Sequence, residues 1–336
     1  MTRTARAAAA IVSLALAALA PPAAADTPPN AWDRAKDPAA RDAYEIHLEV
    51  RPLLFRAPIA SDRDYTRNLE RARAILEDAD AAHSSDVRLR FDLGEVYEGL
   101  GRHAQALAVL QAALAIAPDH TAAEQAWLDL AYALAHLDRP REERAAYEQF
   151  LARSTSEYSR AIAVLNLAEA DMRLGDLDDA IAGYRQAVQL SAALPNDAKT
   201  GILATWGLAV ALDRAGDPQG SAVEARLAVG MDSSDQIIGD RVGVFFVPAY
   251  ERLWYLALGS AERARQAADA RTALAFWQRT ESLWASYVAQ ADPKDRWARL
   301  ARAHLDRART ERALAEKRAG GKARSHDLPP GVELHF

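Results

Sequence analysis

The chain has 336 residues, half of them apolar, with 41 Lys or Arg against 47 Asp or Glu and a formal net charge of −6. That apolar share supports a packed core and excludes global disorder. The length allows one long solenoid or about two ordinary domains, and the acidic balance argues against a nucleic-acid partner.

Residues 1–25 begin with Arg3 and Arg6, continue through an apolar stretch from Ala7 to Ala20 and Pro21-Pro22, and close on Ala23-Ala24-Ala25 before Asp26. This is the layout of a secretory signal peptide. The stretch is short and mostly alanine, whereas a membrane span needs roughly 20 strongly apolar residues. Cleavage after Ala25 and a periplasmic or secreted location are therefore expected. Losing Arg3 and Arg6 takes the net charge from −6 to −8. With no cysteine in the chain, export brings no disulfide framework, and stability must come from packing.

Alanine, leucine and arginine dominate the rest, while β-branched and aromatic residues are sparse, so propensity favours an all-α chain. Pro38 to Val50 and Asp64 to Ala82 read as two amphipathic helices separated by Pro52 and Pro58, with Leu69, Ala72, Leu76 and Ala79 spaced as a buried face. Residues 26–84 are expected to form a degenerate helix pair that covers the open end of the downstream helices.

Between Val87 and His120 the order is Leu93-Gly94, Tyr97, Gly101, Ala106, Leu110, Ala113 and Pro118. The spacing returns at Leu167-Ala168, Gly175, Ala180, Tyr184 and Ala187, and more weakly at Leu208-Ala209, Gly216, Ser221, Ala225 and Ala228. A divergent unit lies between, with Trp127, Leu130-Ala131, Leu134, a turn at Asp138-Arg-Pro140, Glu143 in place of the small residue, and Tyr147. Thr121-x-x-Glu124 and Ser154-x-x-Glu157 read as capping boxes ahead of first helices.

This order of residues resembles the tetratricopeptide repeat (TPR) consensus. The resemblance implies an antiparallel helix-pair solenoid, a TPR-like superhelix, over residues 85–232. It also implies that the first helix of each pair lines a concave groove. Carried over residue by residue, the groove candidates are Arg88, Phe91 and Glu95; Gln125, Leu128 and Tyr132; Asn166, Glu169 and Arg173; and Trp206, Asp213 and Arg214. Arginine, acid and aromatic residues together suit a protein or peptide partner, since aromatics give contact area and arginine gives a planar fork of donors. The alternative is a solvated helix face. Peptide grooves of the family that clamp a C-terminal carboxylate use lysine and asparagine, but Glu95 and Glu169 stand on the corresponding faces, so a ligand with basic character fits better.

Residues 233–318 are expected to form a cap of longer helices, Pro248 to Ala268, Ala270 to Ala291 and Pro293 to Lys317. The apolar run Val242 to Val247 before Pro248 either tucks between helices or is an exposed docking segment. Trp254, Trp277, Trp284 and Trp297 belong either to the core of this end or to an aromatic ligand pocket. Residues 296–326 hold ten Lys or Arg against Asp306, Glu311 and Glu316. That basic helix is either a solvated face or a peripheral contact for anionic membrane, an anionic envelope polymer or an acidic partner. Residues 319–336 read as a linker and a tail, Leu328 to Phe336, whose composition suits an extended strand docked on the solenoid or on another protein.

No catalytic signature is present: there is no GxSxG, GxxxxGK[ST], GxGxxG or HExxH. The eight histidines never fall three or four apart on one helix. Carboxylates such as Asp176, Asp178, Asp179, Glu142 and Glu143 sit in turns and first helical turns, where the helix dipole favours them. No catalytic residue, cofactor or metal is expected. The reading is an exported TPR scaffold or adaptor for a protein or peptide partner, acting in cell-envelope assembly. Two rivals stand beside it: a ligand-binding or hydrolytic pocket near Trp277 and Trp284, and a structural protein on the membrane surface.

Overall fold

The computed structural model describes residues 38–55, 61–195, 197–239 and 244–320. The expected signal segment, Val242 and the tail beyond 320 lie outside the described residues. Fourteen α-helices and no strand occur among the described residues. They are α1 (Pro38–Leu54), α2 (Asp62–Asp78), α3 (Val87–Gly99), α4 (His103–Ile116), α5 (Ala123–His136), α6 (Pro140–Arg153) and α7 (Glu157–Leu174). Next come α8 (Leu177–Ala193), α9 (Ala198–Arg214), α10 (Pro218–Met231), the single turn α11 (Gln236–Gly239), α12 (Arg252–Gln266), α13 (Ala270–Gln290) and α14 (Ala298–Arg318).

From α3 to α10 each helix packs on the next, and the odd-numbered first helices also meet as α1–α3, α3–α5 and α7–α9, with α9 then meeting α12. This is a solenoid of antiparallel pairs closed by α12 and the longer helices α13 and α14. The repeat spacing explains the pairing. Ala106, Ala180 and Ser221 are buried early in second helices, and Ala113, Ala187 and Ala228 are buried two turns on. Small side chains at those points let paired backbones approach. Gly94 has no room for a side chain, because a Cβ there would collide with Leu110 of α4. Gly94→Ala is expected to destabilise the chain by about 1–3 kcal/mol through overpacking, read from the midpoint of urea unfolding; an unchanged midpoint would mean that the α3–α4 contact is looser than described.

The turns between paired helices need a left-handed residue, supplied by Gly101, Gly175 and Gly216 at φ of 70°, 85° and 84°. In the divergent unit Asp138 takes this conformation, with φ of 55°. The step from Asp138 to Glu143 then matches that from Gly175 to Ala180, so Glu143 stands where a small residue is usual. It is buried and paired with Arg173 of α7 at 2.7 Å.

Several expected boundaries move. Pro52 lies inside α1 rather than after it. The amide it lacks would have bonded in the last turn, where Leu48 is 53% exposed and water can satisfy the freed carbonyl. Neither capping box forms: α5 is entered at Ala122 without a side-chain cap, and α7 is capped by Ser156, whose hydroxyl accepts from the Ser159 amide. The expected Pro248 helix begins as a 3-10 turn and becomes α12 at Arg252. The last helix starts at Ala298, after a turn in which Asp295 accepts from the Trp297 amide.

Two large hydrophobic cores hold the helices together. One runs from α1 to Ala163, and the other from Val164 to α14. Trp254, Trp284 and Tyr287 join the second, with their rings edge-to-face at 4.9–5.1 Å around Trp254. The tryptophans of the cap are thus mainly packing residues.

Candidate functional site

At the N-terminal end of the concave face, α1 lies across the groove candidates and neutralises them. Arg51 binds Glu95 at 2.7 Å and Asp92 at 3.4 Å, and His47 meets Asp92 at 2.6 Å. Arg88 pairs with Asp86 and lies over the Tyr44 ring at 5.0 Å. Phe91 is buried and stacked on His120 at 5.2 Å. Gln125 donates to Asp129 at 2.7 Å, within a cavity of about 320 Å³ that these residues line. Leu128 belongs to the core. Burial together with the Glu95 and Glu98 charges holds the Asp129 carboxyl well above the usual range.

A larger cavity, about 570 Å³, opens between α5 and α7. Tyr132 and His136 of α5, Asn166, Glu169 and Arg173 of α7, Glu98 of α3 and Tyr255 of α12 line it, as does the chain segment from Val244 to Val247. That segment is neither core nor free. Phe245 is 39% exposed, yet it stacks on His136 at 3.8 Å, and His136 stacks on His103 at 4.0 Å. Burial and the neighbouring His103 push His136 down to about 4.

Four candidates meet here: Tyr132, Asn166, Glu169 and Arg173. Arg173 is already committed, donating to Glu143 at 2.7 Å and Asp138 at 2.6 Å. Glu98 and Glu169 are different. Among the described residues neither has a hydrogen-bond or ion-pair partner. Burial pushes each up to about 7, with Glu95 adding to the effect at Glu98 and with Arg173 opposing it at Glu169. Sequence reasoning missed Glu98, because it falls three residues, nearly one helical turn, beyond Glu95, the last residue assigned to the groove on its helix. Its apolar surroundings come from α5 and α7, not from α3.

The remaining candidates do not face a groove. Trp206 is completely buried, with its ring against Gly259 of α12, where a Cβ would collide with it. Asp213 is buried and accepts from Trp254 Nε1 at 2.9 Å and meets His304 Nε2 at 2.8 Å. Arg214 is buried against Glu251. The cap helices α12 to α14 close over α9 and convert this stretch of inner face into core.

The same cap leaves only about 70 Å³ of space around Asp213, Trp277, Trp284 and His304. That holds about two waters and leaves no room for a substrate. Part of the basic charge of α14 is met within the chain, as Arg312 binds Glu281 at 2.5 Å and Glu316 at 2.9 Å. Among the described residues no helix is long and apolar enough to cross a membrane, and no group of three histidine or carboxylate side chains is placed to hold a metal ion.

The tetratricopeptide repeat family matches residues 58–121 and 128–198, so the chain carries tetratricopeptide repeats over these segments. No curated protein matches the chain. Among solved structures, a MamA RS-1 double mutant is 18% identical, covering 57% of this chain and 97% of its own with a TM-score of 0.45. A tetratricopeptide repeat protein from Parabacteroides merdae is 13% identical, covering 79% and 99% with a TM-score of 0.45. The TPR domain of P58(IPK) is 12% identical, covering 86% and 72% with a TM-score of 0.36.

Proposed function

We propose that this repeat-bearing chain is an exported adaptor that holds a segment of a partner protein in its concave groove, between α5 and α7, in cell-envelope assembly. The observation that carries the reading is the cavity of about 570 Å³ on the inner face, lined by first-helix residues whose polar groups are incompletely matched. Its volume lies in the range of sites that bury small ligands or single anchoring side chains. The N-terminal part of the face is internally satisfied, and the C-terminal part is covered, so the middle is the surface left for a partner.

A photo-activatable residue at Asn166, on the cavity wall, tests the reading against one at Gln189 on α8, which is exposed outside the pair. The expected result is a discrete crosslinked protein from position 166 and none from position 189. Adducts of equal yield from both positions would remove the groove from the explanation. Export is tested separately by sequencing the N-terminus of the chain recovered from the cell envelope, which is expected to begin at Asp26. An N-terminus at Met1 or Thr2 would end that part of the proposal.

A further inference from the structure

The polar groups of the central cavity are unmatched in one direction. Glu98 and Glu169 are carboxylates without partners among the described residues, Arg173 has spent its charge on Glu143 and Asp138, and Lys199, which also lines the cavity, has a partner of its own. The Tyr184 side chain, only 1% exposed, also lines this cavity, with its hydroxyl buried beside that of Tyr255. The walls are aromatic: Tyr132, Tyr158 and Tyr255 face the same space. Aromatic faces and carboxylates attract the same kind of ligand, a cation with an apolar stem, through ring quadrupoles and Coulomb attraction. An anionic ligand would have to face both carboxylates.

We infer that the cavity between α5 and α7 is a receptor for cationic side chains, lysine or arginine, on an extended basic segment of the partner protein, met by Glu98 beside Tyr132 and by Glu169 beside Tyr255. The inference rests on the groove reading and narrows it to a chemistry. About 570 Å³ exceeds one such side chain, which leaves room for its neighbours along the segment, whereas a free small amine would leave most of the space unfilled.

The empty site holds protons that a cation replaces. Glu98 faces Glu95 of its own helix and Asp129 of α5. Glu169 faces Glu143 of α6, Arg173 of its own helix, Arg214 of α9, Glu251 of the turn before α12, and the Tyr184 and Tyr255 hydroxyls. With each carboxyl near 7, its ionised fraction rises roughly tenfold between pH 6 and pH 8, and affinity for a cation rises with it.

The test uses the whole chain and a fluorescent nine-residue peptide with one central position occupied by lysine, arginine, norleucine, citrulline or glutamate. At pH 8 the lysine and arginine peptides are expected to bind at least tenfold tighter than the norleucine and citrulline peptides. The gap narrows at pH 6 and disappears in the double variant Glu98→Gln, Glu169→Gln. Glutamine keeps the shape and removes a partnerless charge, so the double variant folds, and its circular dichroism checks this. Equal binding of lysine and norleucine peptides, an undiminished gap in the double variant, or no binding at all overturns the cationic receptor. Competition by n-butylammonium without any peptide discrimination overturns it too, in favour of a small-amine site. Crosslinking from position 166 does not depend on the charge of the captured segment, so the adaptor reading can survive each of these results.

Discussion

Arg214→Ala lowers the stability of the folded chain by roughly 3–5 kcal/mol, the usual cost of removing one member of a buried ion pair. The Arg214 side chain is 1% exposed, and its guanidinium donates to Glu251 at 2.5 Å. It also lies over the rings of Trp254 at 4.4 Å and Trp297 at 5.0 Å. Glu251 in turn accepts from the Tyr287 hydroxyl at 2.9 Å. Without the guanidinium, Glu251 is a buried carboxylate facing only a phenol. Arg214→Lys recovers only part of the loss, because an ammonium cannot be a planar slab between two indoles and a forked donor at once. Urea unfolding followed by tryptophan fluorescence reads the effect, since Trp254 and Trp297 report on the pair itself. A loss under about 1 kcal/mol would show that the ion pair is not what joins α9 to the cap.

Thermal stability is expected to fall as pH rises from 6.5 to 8.5, and Glu98→Gln and Glu169→Gln are each expected to reduce that fall. The sign comes from proton binding. Both carboxyls are raised from 4.5 to about 7 in the folded chain. Between those values the folded state holds protons that the unfolded state has released, so the stabilising contribution is complete below 4.5 and is lost as pH passes through 7. At 1.36 kcal/mol per pKa unit, each carboxyl accounts for about 3 kcal/mol over the whole range from 4.5 upward, and for under about 1 kcal/mol of the fall between pH 6.5 and pH 8.5. His136 acts in another window and with the opposite sign. Held down to about 4 from 6.5, it costs stability as pH drops below 6.5 and contributes no slope above it. Glu143, pushed up to about 8 by burial against the pull of Arg173, leaves a residual slope in both variants. Melting curves at half-unit intervals decide the matter, and a glutamine variant with the wild-type slope would place the titrating group elsewhere.

The helix pairs were legible because their signals are local. Gly101, Gly175 and Gly216 mark turns, and Ala106, Ala180 and Ser221 mark close crossings at a fixed step beyond them. Even the divergent unit kept its register, with Asp138 in the glycine's conformation and Glu143 at the crossing. Helix ends were less legible. Ser154-x-x-Glu157 fits a capping box, yet Ser156 does the capping and Arg160 binds the Ser154 carbonyl at 3.0 Å. Both hydroxyls are compatible with the local chain, and a contact across the turn chooses between them.

The groove was legible in outline only. Assigning first-helix residues to an inner face treats every repeat alike, but the ends of this solenoid differ from its middle. Arg51 arrives from α1 to occupy Glu95, and α12 brings Gly259 against Trp206. That the chain is all-α, that its helices pair, and which side chains pack where paired helices cross could be read from the residues alone, because these depend on periods of a few residues. Which inner-face charges are met and which are not emerged with the folded arrangement. Arg51 and Glu95, or Arg214 and Glu251, are far apart in the chain, and whether a charge finds its partner depends on a distance in space that no local spacing encodes.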